Sequence, residues 1–278
     1  MTELSSIFLQ PVVRLKAGVF EDGAFTECTS TIQATGFLYG YPGLTKHGFE
    51  NGQLRLWLVT CAHVVKNIDA SDEYNAVLVK MNRSSNLETT SFGIPLSEPD
   101  EVQWYCHPYK DIAVIRGSPK ILEEVDVDWE AFQYETNALT KSQFIEKKII
   151  EGEEVLMAGF PTGWREGRSD YPIVRFGVLA QIQGWLNDDH DTFLVDGSGF
   201  PGNSGGPVLM RMTRVSNDRK DLMHYKSLIG MVSESSLHPI VKERNSNIVS
   251  ESADIVEVVP VDAINETIQM AMDKEGQV

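Results

Sequence analysis

Apolar residues in this chain gather in short runs separated by Gly, Pro, Asn and Asp. The runs are Trp57–Thr60, Ala76–Lys80, Ile112–Ile115, Val155–Phe160, Ile173–Ile182, Thr192–Val195, Gly206–Met212 and Ser227–Ser233. Their length, and their content of Val, Ile, Leu and Phe, predict strands. Tyr41-Pro-Gly43, Asn51-Gly52 and Phe160-Pro-Thr-Gly163 supply turn signals between apolar stretches. The pattern predicts antiparallel β structure, as barrels or a sandwich.

Two stretches depart from it. Residues 119–150 are acidic with a partly helical pattern, which predicts a linker carrying a short helix between two strand-rich halves. From Asp262 to Lys274, Ile264, Ile268, Ala271 and Met272 share one face behind a capping Asp262. A short terminal helix packed on the second half is expected there. The polar segment Arg211–Lys226 predicts a long hairpin tip, and His238–Ser252 a mobile loop. No internal repeat or low-complexity tract interrupts this scheme.

The chain has 278 residues, of which 42% are hydrophobic, so one all-β unit with a sizeable core is feasible. Forty acidic against 24 basic residues give a net charge of −16. That charge disfavours nucleic acid and anionic membrane as partners and mildly favours basic ones. Cys28, Cys61 and Cys106 cannot all pair with one another, and no secretory leader is legible, so a reducing cytoplasmic location is expected. No apolar run approaches the ~18 residues of a membrane helix.

Three motifs carry chemistry. In Gly202-Asn-Ser-Gly-Gly-Pro207, glycines would hold Ser204 on a tight turn, with the N–H groups of Gly202 and Ser204 aimed at an oxyanion. Alone, the motif could be a Gly-rich turn with an incidental serine. In Val59-Thr-Cys-Ala-His-Val-Val65, a strand runs into His63, though a lone histidine is more often packed or exposed than catalytic. In Asp111-Ile-Ala-Val-Ile115, an aspartate precedes a buried strand, where it could cap the strand or accept from an imidazole Nδ1–H. Together their order is His, Asp, Ser, with the first two in one strand-rich half and the serine in the other.

These motifs resemble the trypsin-like (chymotrypsin-fold) serine peptidases, and among them most closely the HtrA/Deg-type protease domain. Gly36-Phe-Leu38, Gly152–Gly159, Pro201-Gly-Asn-Ser204 and Val259-Pro-Val-Asp262 add to the likeness. The resemblance implies an all-β, chymotrypsin-like double β-barrel of two six-stranded antiparallel barrels with a short C-terminal helix. One domain would span 1–278, with an N-terminal barrel at about 8–118, a linker at about 119–150, and a C-terminal barrel and helix at about 151–273. It implies an endopeptidase acting through an acyl-enzyme, with His63, Asp111 and Ser204 as triad and Gly202 and Ser204 as oxyanion hole. Ser233 would support Asp111, and Ser233, Glu234 and Ser235 would offer substrate a strand edge.

By the same resemblance, Ser198 corresponds to the base of the primary pocket and is followed by Gly199 and Phe200. With no aspartate among them, a small or medium apolar residue is mildly favoured, although Asp196 lies two residues away. Asn203 stands where digestive trypsins carry aspartate, and no Arg-Ile-Val-Gly-Gly activation site is present, so trypsin-style zymogen cleavage is not expected. Nor is a PDZ domain expected in this polypeptide.

No cofactor and no metal is expected. Cys61-x-His63 and Cys106-His107 contain zinc-ligand types, but zinc on His63 would occupy the lone pair a base needs. Asn187–Asp191 lacks EF-hand spacing and reads as a solvated turn. Trp104, Trp164 and Trp185 could belong to a binding face or to the core. The expected partners are a protein or peptide substrate and a regulatory protein. Two rival readings keep the same fold: a peptidase held inactive until a partner orders Gly199–Ser204, and a non-proteolytic module binding peptides by β-augmentation.

Overall fold

Two-residue periodicity organises the first half. In β1 (Val12–Glu21), Val13, Leu15 and Ala17 enter the main core, joined by Phe37, Tyr39 and Tyr41 of β3 (Gln33–Thr45). The computed structural model describes residues 9–21, 24–27, 32–45, 48–96, 104–127, 129–134, 136–163, 167–215, 222–241 and 248–275. Within strands, the side chains of 43–45, 48–53, 212–215, 222–225, 234–241 and 248–253 are not described.

The first half adds β2 (Ala24–Glu27), β4 (Gly48–Thr60), α1 (Ala62–Asp69), β5 (Ala76–Asn82), β6 (Thr89–Pro95), β7 (Tyr105–Cys106) and β8 (Ala113–Arg116). Its sheet runs β6-β5-β1-β3-β4-β8-β7, with β2 on β1. Where a six-stranded barrel was expected, this nine-stranded sheet has no pairing between its end strands among the described residues. The ninth strand is β9 (Phe132–Gln133), parallel to β3, from the segment expected to be a linker. That segment also holds α2 (Pro119–Glu124) and α3 (Lys141–Lys147), and it buries Leu122, Phe132 and Phe144.

The second half has β10 (Glu154–Gly159), β11 (Ile173–Gln181), α4 (Gln183–Leu186), β12 (Phe193–Asp196), β13 (Pro207–Val215), β14 (Leu222–Val241) and β15 (Ile248–Pro260). These strands close into a barrel ordered β10-β11-β12-β15-β14-β13. Val155, Leu179, Phe193, Val195, Val208 and Val256 fill it. This mostly β architecture, one closed six-stranded barrel beside a second sheet, is chymotrypsin-like.

All eight expected apolar runs lie largely in strands. Two turn signals do not end strands. Tyr41-Pro-Gly43 lies in β3 at a register shift between Pro42 and Leu44, and Asn51-Gly52 lies in β4. The expected loop His238–Ser252 is largely strand, with His238 to Val241 pairing Glu251 to Ile248, and 242–247 outside the described residues. Backbone pairing overrode a polar sequence there.

The final helix, α5 (Val261–Glu275), follows without a break from β15. Ile264, Ile268, Ala271 and Met272 are buried as the periodicity predicts, in a core that both halves build, with Leu209, Leu228, Met231 and Val259 from the second. The helix packs on the second half as expected, against β14 and β15, and also on β3, β7 and β8 of the first half. Tyr39 donates its hydroxyl to Asn265 Oδ1 (2.9 Å), and Lys110 pairs with Glu266, holding the helix across the halves. Asp262 Oδ2 accepts the Lys141 N–H (2.8 Å), at the start of α3. Burial raises its pKa despite that bond.

The halves also meet on the far side. Arg14 binds Asp170 through two hydrogen bonds, Nη2 to Oδ1 at 2.6 Å and Nε to Oδ2, with both side chains buried. Asn82 exchanges two more with the Asp170 backbone. Among the described residues no helix is long and apolar enough to cross a membrane.

Candidate active site

The site grows from the end of β4. Val59 and Thr60 are fully buried, so the chain leaves the sheet on a fixed heading into α1, with His63 in the first helical turn. With a strand running into it as expected, His63 stands at a strand-to-helix junction. Asp111 lies two residues ahead of β8, whose Ala113 pairs with Thr60, so strands of one sheet lead to both residues.

Asp111 holds His63 twice. Oδ1 accepts the His63 backbone N–H at 2.8 Å, and Oδ2 lies 2.7 Å from Nδ1. Ser233 Oγ donates to Oδ2 at 2.8 Å. Burial alone would raise the Asp111 pKa. The His63 side-chain and backbone hydrogen bonds, the His63 charge and the Ser233 hydroxyl reverse this and bring it down to about 2. An ionised carboxylate only accepts, so Nδ1 bears the proton and Nε2 keeps a lone pair.

Ser204 sits beyond β12 on a loop that two glycines make possible. Gly202 has φ +95° and Gly205 φ +87°. A Cβ at Gly205 would fall 2.0 Å from the Thr35 carbonyl oxygen, and one at Gly202 2.5 Å from that of Phe160. The N–H groups of Asn203, Gly205 and Gly206 bond to the carbonyls of Phe200, Val232 and Asn203 respectively. Those of Gly202 and Ser204 make no hydrogen bond among the described residues. Thr35 fixes this loop, its Oγ1 donating to the Gly202 carbonyl (2.7 Å) and accepting the Phe160 N–H (2.9 Å). Thr60 Oγ1 in turn donates to the Thr35 carbonyl (2.8 Å). Thr35 was not singled out from sequence, because its partners lie in the opposite half and no local pattern marks it.

His63, Asp111, Ser204 and Ser233 line one cavity of about 790 Å³, together with Gly199 and Phe200. No Ser204–His63 hydrogen bond is present among the described residues. Ser198 is not in the lining. Phe200 is partly exposed, with the Arg175 guanidinium 4.1 Å from its ring centre. Glu234 and Ser235 continue β14, paired with Glu257 and Val256, and their side chains lie outside the description. Sequence reading did not place Tyr109, His190 or Glu257 in this cavity, which they also line. Of the tryptophans, Trp185 is buried against Phe144 and Phe193, Trp104 packs on the core edge, and Trp164 lies outside the described residues.

Cys61, His63 and Asp111 present donor atoms within 4.8 Å of one another. The 2.7 Å between Nδ1 and Oδ2 suits a hydrogen bond. Two ligands on one tetrahedral zinc stand roughly 3.3 Å apart, given bonds near 2.0 Å. Cys61 instead donates to the Val232 carbonyl (3.2 Å), and burial, then Asp111, pushes its thiol pKa well up.

A chymotrypsin-like pair of β units meeting at a His–Asp–Ser cavity defines a trypsin-like hydrolase class. The chain belongs to the trypsin-like peptidase family, whose domain model matches residues 34–215. A search of curated proteins returned no match. Membership supports a serine-type protease.

Proposed function

We propose that the protein is a serine endopeptidase in which Ser204 is the nucleophile, His63 the base and Asp111 the residue that orients the base. The observation that carries this reading is the double hold of Asp111 on His63, at 2.8 and 2.7 Å, in the cavity that Ser204 also lines. As Ser204 Oγ attacks the peptide carbonyl, its proton passes to His63 Nε2. The carbonyl π pair moves to oxygen, where the Gly202 and Ser204 N–H groups receive the charge. Nε2–H then protonates the departing amine as the C–N bond breaks, leaving an acyl-Ser204 ester. Water, deprotonated by the same nitrogen, hydrolyses that ester.

Substrate would lie along β14 at Ser233–Ser235, with Gly199 and Phe200 near its scissile end; Ser198 belongs to this reading by sequence alone. No zymogen cleavage is required, since Asn203 replaces the aspartate that a new N-terminus would pair with. We read 1–278 as one protease domain nearest the HtrA/Deg type. A reducing, cytoplasmic setting is inferred from the uneven cysteine count, with Cys61 and Cys106 as unpaired thiols.

The test is casein or peptide-library cleavage by wild type and Ser204→Ala. A fall of about 10³-fold or more in kcat is expected of the variant. Equal rates would remove Ser204 from the mechanism.

A further inference from the structure

His107 takes no part in the steps above, yet its side chain is buried beside them, only 2% exposed. It opens the turn that ends in Asp111. Its Nδ1 accepts the backbone N–H groups of both Tyr109 (3.1 Å) and Lys110 (2.9 Å), while its own backbone N–H donates to the Ile112 carbonyl (2.9 Å). The ring thus closes the loop 107–112 on itself from inside. Nε2, carrying the proton in that tautomer, makes no hydrogen bond among the described residues, and the nearest carboxylate oxygen, Glu266 Oε2, is 3.8 Å away.

A two-residue strand, β7, precedes this turn and a four-residue strand, β8, follows it. Asp111 stands at the junction, so little regular structure fixes its carboxylate. An imidazole accepting two consecutive amides supplies the missing constraint.

We propose that His107 is a positioning residue for the peptidase reaction: as a neutral acceptor it holds the Tyr109–Lys110 amides, and through them sets where the Asp111 carboxylate meets His63. This rests on the proposed role of Asp111. A proton on Nδ1 would turn the acceptor into a donor facing two donors, so the hold exists only in the neutral ring. The charged groups facing the ring are Lys110 on its own turn, Glu266 on α5 and Asp191 ahead of β12. Burial first, then Lys110, lowers its pKa and keeps the ring neutral, against the opposing pull of the two acids.

Amide substitutions test this, because Asn places its oxygen near the Nδ1 position and Gln near the Nε2 position. With His107→Asn, kcat should stay within about threefold of wild type. With His107→Gln and His107→Ala, kcat should fall about tenfold to a hundredfold while KM changes less than about twofold, the signature of a displaced catalytic group. A readout independent of cleavage is the low-field proton resonance of the His63 Nδ1–H···Asp111 hydrogen bond. It should persist in wild type and His107→Asn and broaden or disappear in His107→Gln.

A His107→Gln variant with wild-type kcat and an intact resonance would overturn the proposal. So would a His107→Asn variant that loses both while remaining folded by circular dichroism. If wild type showed the resonance but cleaved nothing, the peptidase reading would fail while the positioning role could still be judged from the spectra.

Discussion

At the scale of single residues, Asp111 concentrates the chemistry. Three hydrogen bonds, two from His63 and one from Ser233, outweigh its burial and hold its pKa at about 2. A carboxylate depressed below its unfolded value of about 3.9 stabilises the fold fully above that value. The contribution is lost as pH falls from there through about 2. Ser233→Ala should raise the Asp111 pKa and shift that loss to higher pH, visible in unfolding temperatures measured between pH 2 and 5. The same variant should lower kcat/KM about tenfold, the lower end of what a hydrogen bond to a charged group is worth. An unchanged acid profile would mean that Ser233 contributes nothing to holding Asp111. These residues were legible in sequence because each sits in a local motif. Thr35 and His107 were not, because their roles depend on a distant half and on the path of a turn.

At the scale of elements, α5 is the clearest case of a pattern read correctly and a docking surface read only in part. Periodicity identified Ile264, Ile268, Ala271 and Met272 as one buried face, but it carries no information about which surface that face meets. The helix packs on both halves, and Ile268 is fully buried in the core they share. Ile268→Ala should therefore cost about 2–5 kcal/mol in denaturant unfolding. A loss below about 1 kcal/mol would show that the site collapses around the smaller side chain or that α5 is weakly docked. The strands β14 and β15 teach the complementary lesson. Their outer portions read as a loop because polar residues dominate, while cross-strand pairing decided the outcome.

At the scale of the whole molecule, the cavity exists only where two halves meet, and far-side contacts help hold that geometry. Arg14 and Asp170 are both buried and bonded twice across this boundary. Asp170→Asn removes a buried carboxylate that binds the guanidinium twice, which should cost stability, by up to about 3–5 kcal/mol. Calorimetry would check this, and an unchanged melting temperature would show that the halves are joined without the pair. The sequence indicated two strand-rich halves and their boundary segment. It did not indicate that the first half is a nine-stranded sheet, because β9 arises from a segment whose charge masks the buried Phe132.

The central claim is that Ser204 is a nucleophile activated by His63. The most direct measurement is mass spectrometry of the intact protein and its peptides after exposure to a fluorophosphonate. The account predicts a single adduct on Ser204 in wild type, strongly slowed in His63→Ala and absent in Ser204→Ala. An adduct elsewhere, or wild-type and His63→Ala labelling at equal rates, would contradict it.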